Sequence, residues 1–338
     1  MTNSDLLWLQ ESDVTSLVDL NDGIDALQSL LALEGPDSAA NIPKALGTWA
    51  GGGTVHSLGS VAPAKGLAGF KTWANTPRGA QALFLMFDAE DGSIRAVIEA
   101  AALGAIRTAG ICGLATRWLA AEEADTLAII GTGRQALTQV AAISVVRQLA
   151  RLRVFSPNPE SRSQFASRCS STFDFEVEEC SSVEAAVADC PIVTLVTRAR
   201  EPFLHANMLA KGTHVNAVGA ILPPNAEFHQ DLFERCDTVV VDSLADAKRN
   251  SRELSSRFGD EEAAWGKVRS LGQFIAAGQM RSADTDLSLF KAMGMGLSDM
   301  AIGSMVLQRA LERGVGRQIA QPGRSAPTWR AGRAAQVR

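Results

Sequence analysis

Lys71 lies in Gly69-Phe70-Lys71-Thr72-Trp73-Ala74-Asn75-Thr76-Pro77, between apolar neighbours on a segment patterned as a β-strand. A lysine is costly to bury there unless it meets an anion, so it either faces solvent from an edge strand or holds a carboxylate. Arg107 poses a similar choice within Gly104-Ala105-Ile106-Arg107-Thr108-Ala109-Gly110. Small residues on both sides let another group approach closely, and a guanidinium pairs a carboxylate or a phosphate. Lys44, in Asn41-Ile42-Pro43-Lys44, is a weaker third cation. Several cations converging on one pocket would suit a small carboxylic acid.

The second chemically informative stretch is Thr126–Ala136. Five apolar or β-favouring residues run into Gly131-Thr132-Gly133-Arg134-Gln135-Ala136, and a helical pattern follows. In a strand, turn and helix of this kind the first glycine makes the turn and the second admits a pyrophosphate close to the backbone. A small third residue lets the helix pack on the strand. The phosphates then rest on free N–H groups at the helix N-terminus. The bland alternative is an ordinary strand-to-helix turn. The next strand, Arg151–Phe155, runs into Ser156, Asn158 and Arg162. An acid at its end would hold the ribose hydroxyl of NAD and repel the phosphate of NADP. Serine stands there, which favours NADP(H) and leaves NAD(H) possible. Arg162 is equally compatible with a solvated helix position. Thr194–Thr197 and Asn216–Ala220 end strands at the sheet's carboxyl edge, where cofactor and substrate should meet, or are simply loop punctuation.

These residues need elements to hold them. Before Thr126 the chain reads as a short strand, two capped helices, β-like segments at Thr54–Leu58, Leu67–Trp73, Ala82–Phe87 and Ser93–Ile98, and a long alanine-rich helix carrying Arg107 and Thr108. From Thr126 strands and helices alternate, the mark of a parallel sheet covered on both faces. Helices are expected over Asp242 to Ser256 and Ser270 to Gln279, a returning segment at Asp286–Phe290, and a last helix over Leu297 to Arg313. After Gly314 the pattern fades into a basic tail, read as disordered, with Arg317, Arg324, Arg330, Arg333 and Arg338.

Bulk properties narrow the classes. A chain of 338 residues accommodates two domains, and a net charge of −5 gives no basic field for nucleic acid. No apolar run is long enough to span a membrane, and the first residues lack a signal peptide's pattern, so a cytoplasmic protein is expected. Five scattered cysteines without C-x-x-C, and four scattered histidines, give neither disulfides nor a metal site. With no tyrosine, no tyrosine can serve as the catalytic acid.

The motifs Ile42-Pro43-Lys44, GFKTWANTP, AIRTAGICGLATRWLA, IIGTGRQA, HVNAVGA, VVVDS and FKAMGMGLSDMA occur in this order over nearly the whole chain. In this the chain resembles the ornithine cyclodeaminase/μ-crystallin family. The resemblance implies an α/β chain with a Rossmann dinucleotide-binding domain, residues 121–296. This would be inserted between two parts of an α+β substrate-binding and homodimerising domain, residues 1–120 and 297–320, leaving 321–338 as the tail. It implies catalytic and substrate-carboxylate roles for Lys71 and Arg107, with Lys44 where many members have arginine. Gly131, Thr132, Gly133, Gln135 and Ala136 match the pyrophosphate turn, and Ser156, Asn158 and Arg162 the ribose end. Thr197, Val218, Gly219 and Ala220 match the nicotinamide side. Thr108 is counted with the cofactor site, and Ala292 and Met293 fall where the family closes over the substrate.

One departure bears on the reaction. Cyclodeaminases of the family carry an aspartate directly after the segment matching Val218-Gly219-Ala220, where this chain has Ile221, and a lysine where it has Asn225. Isoleucine accepts no proton, which disfavours cyclodeamination and the family's alanine dehydrogenase chemistry. The function expected is that of an NAD(P)H-dependent reductase of imino acids, cyclic ones such as Δ1-pyrroline-2-carboxylate or Δ1-piperideine-2-carboxylate, or open-chain imines. The alternatives are a cyclodeaminase or amino-acid dehydrogenase using Glu227 or His229, and a non-catalytic NADP(H) and small-acid binding protein of μ-crystallin type.

Overall fold

The computed structural model describes residues 5–35 and 37–327. The chain opens with β1 (Leu6–Leu9), α1 (Glu11–Leu17) and α2 (Leu20–Leu31). Asp19 caps α2 by accepting the Asp22 N–H at 2.9 Å, and Ile24, Leu27 and Leu31 on its inner face are fully buried. Five strands come next: β2 (Ala40–Trp49), β3 (Gly53–Ala62), β4 (Leu67–Thr76), β5 (Gly79–Asp88) and β6 (Ile94–Glu99). They form an antiparallel meander, with β1 added parallel to β6. The register aligns Leu58, Lys71 and Phe84 across β3, β4 and β5. Side chains alternate along a strand, so His56 and Trp73 share the face of Lys71, while Val55, Phe70 and Leu83 point to the other face and stay exposed.

The inner face is covered by α2, by α3 (Ala101–Leu119), which carries Arg107, and by the last helix of the chain. Arg147 locks the end of α3 to the start of the second unit. Its guanidinium donates to the carbonyls of Thr116, Arg117, Ala120, Ala121 and Val146 at 2.8 to 3.2 Å, satisfying groups a helix C-terminus leaves open.

That second unit alternates as expected: β7 (Thr126–Ile130), α4 (Ala136–Val146), β8 (Arg151–Phe155), α5 (Pro159–Thr172), β9 (Glu176–Glu179), α6 (Val183–Val187), β10 (Ile192–Leu195) and β11 (Thr213–Ala217). Then come α7 (Leu232–Arg235), β12 (Cys236–Val241), α8 (Leu244–Asn250), α9 (Arg252–Phe258), α10 (Glu262–Trp265), β13 (Val268–Ser270), α11 (Leu271–Ala276) and β14 (Leu287–Lys291). The eight strands pair in parallel in the order β13-β12-β14-β11-β10-β7-β8-β9. Strand order reverses between β7 and β10, opening a crevice at their carboxyl ends, where open α/β sheets bind ligands. Helix α12 (Gly296–Arg313) returns to the first sheet, and β15 (Arg317–Ile319) pairs antiparallel with β1. Among the described residues no helix is long and apolar enough to cross a membrane.

Several elements differ from the sequence reading. The helix expected over Asp242 to Ser256 is two, because the Ser251 hydroxyl turns to Glu253 Oε2 and to the Leu254 N–H and starts α9 afresh. The helix expected to reach Gln279 ends at Ala276. Arg317, placed in a fading tail, lies in β15, and the Gln321 side chain exchanges hydrogen bonds with the Ile94 backbone at 3.1 and 2.6 Å. Arg330, Arg333 and Arg338 lie outside the described residues.

Candidate active site

Lys71 is buried and its Nζ lies 2.6 Å from Asp299 Oδ1. The same oxygen is 3.2 Å from Arg107 Nε, so one carboxylate faces two cations. Three separate elements supply the group. Lys71 comes from the inner face of β4, Arg107 from α3, and Asp299 from the first turn of α12, where the helix dipole favours an acid. Burial, and then the charge of Arg107, hold the Lys71 ammonium down to about 8 against Asp299's opposing pull. Lys44 is lowered too, by burial and by Arg107. Both lysines lie over the Trp73 ring, Lys71 Nζ at 5.2 Å and Lys44 Nζ at 5.9 Å from its centre. Asp299 Oδ2 is buried with no hydrogen-bond partner among the described residues. Lys71 and Arg107 thus share the Asp299 carboxylate, while Lys44 feels the charges of Asp242 and Asp246.

This cluster borders a cleft of about 530 Å³ at the β7/β10 crevice. Its opposite wall is the glycine turn. Gly131 has φ +109°, and a Cβ there would lie 2.8 Å from the Val196 carbonyl, so only glycine fits. Gly133 faces open space. The N–H groups of Thr132, Gly133 and Arg134 meet no acceptor among the described residues, and Gln135 Oε1 is buried without a partner. A row of free donors ahead of α4, on a turn a side chain would obstruct, fits the pyrophosphate of a dinucleotide. A second cleft, about 610 Å³ and lined by Cys236, Lys267 and Arg269, opens toward the amino ends of β12 and β13, away from the turn and from Lys71.

Of the residues singled out from the sequence, Lys44, Arg107, Thr108, Gly131, Thr132, Gly133, Gln135, Ser156, Thr197, Val218, Gly219, Ala292 and Met293 line the cleft. Lys71 lies behind Arg107 and Trp73 rather than on the wall. Ala136 and Ala220 are buried. Two residues assigned to the ribose end have partners within the chain. Asn158 accepts the Ser161 N–H at 2.9 Å and is the cap of α5. Arg162 donates to the Ser156 carbonyl at 2.9 Å and pairs with Glu179 at 3.6 Å, so its guanidinium is already engaged and does not line the cleft.

Glu227 and His229, named as alternatives to a proton-handling aspartate, do not line the cleft. Glu227 is fully buried and accepts from Thr197, Gly219 and Ala220. His229 stacks on His205 with ring centroids 3.6 Å apart and does not line the cleft. Ile221 does line it.

Two acids escaped the sequence reading. Asp299 looked like any acid opening a helix, and only its partners reveal it. Asp242, at the end of the VVVDS run, lines the cleft and accepts the N–H groups of Met293 and Gly294 at 2.8 and 2.7 Å. Burial pushes its carboxyl up to about 6 against those hydrogen bonds and the charge of Arg107. It pins the Ala292–Gly294 segment over the cleft. Among the described residues no group of three or more His, Cys, Asp or Glu side chains gathers to hold a metal.

Parallel sheet, glycine turn and adjoining cationic pocket define a nicotinamide-dinucleotide oxidoreductase. Residues 12–314 match the ornithine cyclodeaminase/mu-crystallin family, and the chain belongs to that family. It is 29% identical over 239 residues to a Delta(1)-pyrroline-2-carboxylate reductase of Bacillus cereus, covering 70% of this chain and 73% of the relative. It is 30% identical over 226 residues to the ketimine reductase mu-crystallin of Mus musculus, covering 67% and 68%. The fold is similar to that of the Thermococcus litoralis Delta(1)-pyrroline-2-carboxylate reductase in complex with NADH and L-proline. The TM-score is 0.85 at 24% identity, covering 93% of this chain and 100% of that one.

Proposed function

We propose that this chain is an NAD(P)H-dependent reductase of imino acids, delivering hydride to the C=N carbon next to a carboxylate. The observation that carries the reading is the Lys71–Arg107–Asp299 cluster, whose Arg107 lines one cleft together with the glycine turn and Ile221. Arg107, Lys71 and Lys44 would hold the substrate carboxylate, and Met293 would cover it. Gly131 to Gln135 would hold the pyrophosphate. Thr197, Val218 and Gly219 would form the nicotinamide wall. A reduced nicotinamide supplies the hydride when bound there.

Positioning by the cations and the charge complement they offer supply most of what the protein must add. An imine is largely protonated near neutral pH and needs less acid assistance than a ketone, consistent with Ile221, rather than an acid, at that position of the wall. The substrates we favour are Δ1-pyrroline-2-carboxylate and Δ1-piperideine-2-carboxylate, whose rings suit the apolar wall of Leu58, Trp73, Ile111 and Met293. NADP(H) is favoured over NAD(H) because Ser156, not an acid, follows β8. The partner is a second copy of the chain, docked on the exposed outer face of β3 to β5 at Val55, Phe70 and Leu83.

The test is oxidation of NADPH and NADH with a panel of cyclic and open-chain imino acids, run beside ornithine with NAD. Turnover of an imine supports the reading. Ammonia from ornithine would replace it with a cyclodeaminase. Cofactor binding without any turnover would replace it with a binding protein.

A further inference from the structure

Glu227 is 0% exposed. Its Oε1 accepts the Thr197 N–H at 2.7 Å and the Thr197 hydroxyl at 2.8 Å, while its Oε2 accepts the N–H groups of Gly219 and Ala220 at 2.9 and 3.1 Å. The Thr197 hydroxyl itself accepts the Ala199 N–H at 3.2 Å, so its own proton goes to Glu227. Four donors converge and the group is a carboxylate. It ties the ends of β10 and β11 together so closely that a Cβ on Gly219 would fall on the Thr197 carbonyl.

Among the described residues the charge has no counter-ion. Behind it, Glu253 Oε1 accepts the Glu227 N–H at 3.1 Å, but Glu253 is already matched by the fully buried Lys291, whose Nζ is 3.1 Å away. Among the described residues no lysine, arginine or histidine forms an ion pair with Glu227. A buried carboxylate held only by neutral donors is expensive unless something else complements it. What it backs is the wall of Val196, Thr197, Val218 and Gly219 on the cleft.

We propose that Glu227 is a positioning residue whose counter-charge is the oxidised nicotinamide ring, and that it drives hydride departure by favouring that cation over the neutral reduced ring. This rests on the imino-acid reductase reading. In the hydride step a C–H bond of the dihydropyridine breaks, and its electron pair and proton form the new C–H bond at the imine carbon. The C=N π pair moves onto nitrogen and neutralises the iminium. One positive charge therefore leaves the side of the cleft carrying Lys44, Lys71 and Arg107 and appears on the side backed by Glu227. The protein's fixed charges lie along the direction in which charge must move.

The test reads binding rather than turnover. Dissociation constants for NADP+ and NADPH, and for the NAD pair, are measured by calorimetry on the wild type, Glu227→Gln and Glu227→Asp, with ADP-ribose as a probe lacking the ring. Glu227→Gln is expected to weaken the oxidised form relative to the reduced form by about tenfold, the scale of one charge at this range. Glu227→Asp keeps the charge and should keep most of the ratio, and ADP-ribose should bind all three proteins alike. A purely structural role would weaken both forms equally, and an unchanged ratio in Glu227→Gln overturns the proposal. Should that variant not fold, Lys291→Met leaves Glu253 uncompensated and must shift the ratio the other way; no shift there overturns it too. Failure of the wild type to bind either form would sink the reductase reading itself, whereas tight binding with an unaltered ratio sinks only the role of Glu227.

Discussion

Lys71 Nζ and Asp299 Oδ1, 228 positions apart in the chain, lie 2.6 Å from each other with both side chains buried. The pair joins the substrate-side sheet to the last helix, and Arg107 closes it into a triad. Asp299 keeps a buried ammonium charged beside a guanidinium that opposes it. Replacing Asp299 with Asn removes that support. The Lys71 pKa should then fall by about one unit or more, and the alkaline limb of the kcat/KM profile should move below its wild-type position. A limb that stays in place would show that Lys71 does not govern it.

The alkaline limb expected of the wild type follows from the same group. Lys71 titrates at about 8, well under the usual 10.5, so its charge is present below about 8 and is lost as pH rises through that value. Imine reduction should decline over that range through a rising KM. Lys71→Arg, charged throughout, should flatten the KM dependence.

Lys71→Ala should lower kcat/KM by about 100-fold, the scale of one preorganised charged contact. Binding of the dinucleotide, measured by titration, should be unaffected because the glycine turn lies across the cleft.

Asp242 gives a stability prediction with a definite sign. Its folded pKa is about 6 against 3.8 unfolded, so the folded state binds the extra proton between those values. Its contribution is complete below the lower value and is lost as pH rises toward 6. The stability difference between wild type and Asp242→Asn, from urea unfolding, should therefore favour the wild type more at pH 4 than at pH 7.

Phe70→Glu places a charge on the exposed outer face of β4 and should convert a dimer into monomers by light scattering, with the sheet intact by circular dichroism. A monomeric wild type would refute the proposed partner outright.

Much of this architecture can be read from the chain. The run from Thr126 to Ala136 dictates strand, turn and helix locally, because an apolar strand, two glycines and a small residue leave few other conformations. Lys71 and Arg107 stand out because a cation among apolar neighbours needs a reason. Asp299 does not stand out, because an acid in the first turn of α12 is ordinary helix chemistry and its partners come from distant sequence. Asp242 is hidden for the same reason, and Glu227, legible only as a candidate proton carrier, takes its place from N–H groups of loops that only the fold brings together. Ser251 breaks an otherwise continuous helical pattern through a hydroxyl that prefers Glu253 and a cap to a helix interior. The partners of Arg162, a carbonyl of its own loop and Glu179, are likewise visible only in the fold.

Loss of reduced nicotinamide absorbance with Δ1-pyrroline-2-carboxylate or Δ1-piperideine-2-carboxylate, compared between wild type and Lys71→Ala, is the direct test of imino-acid reduction. Turnover by the wild type is expected, faster with NADPH than with NADH, with near loss of turnover in the variant while it still binds cofactor. Equal rates in the two proteins, or no oxidation with any imino acid despite bound cofactor, would contradict it.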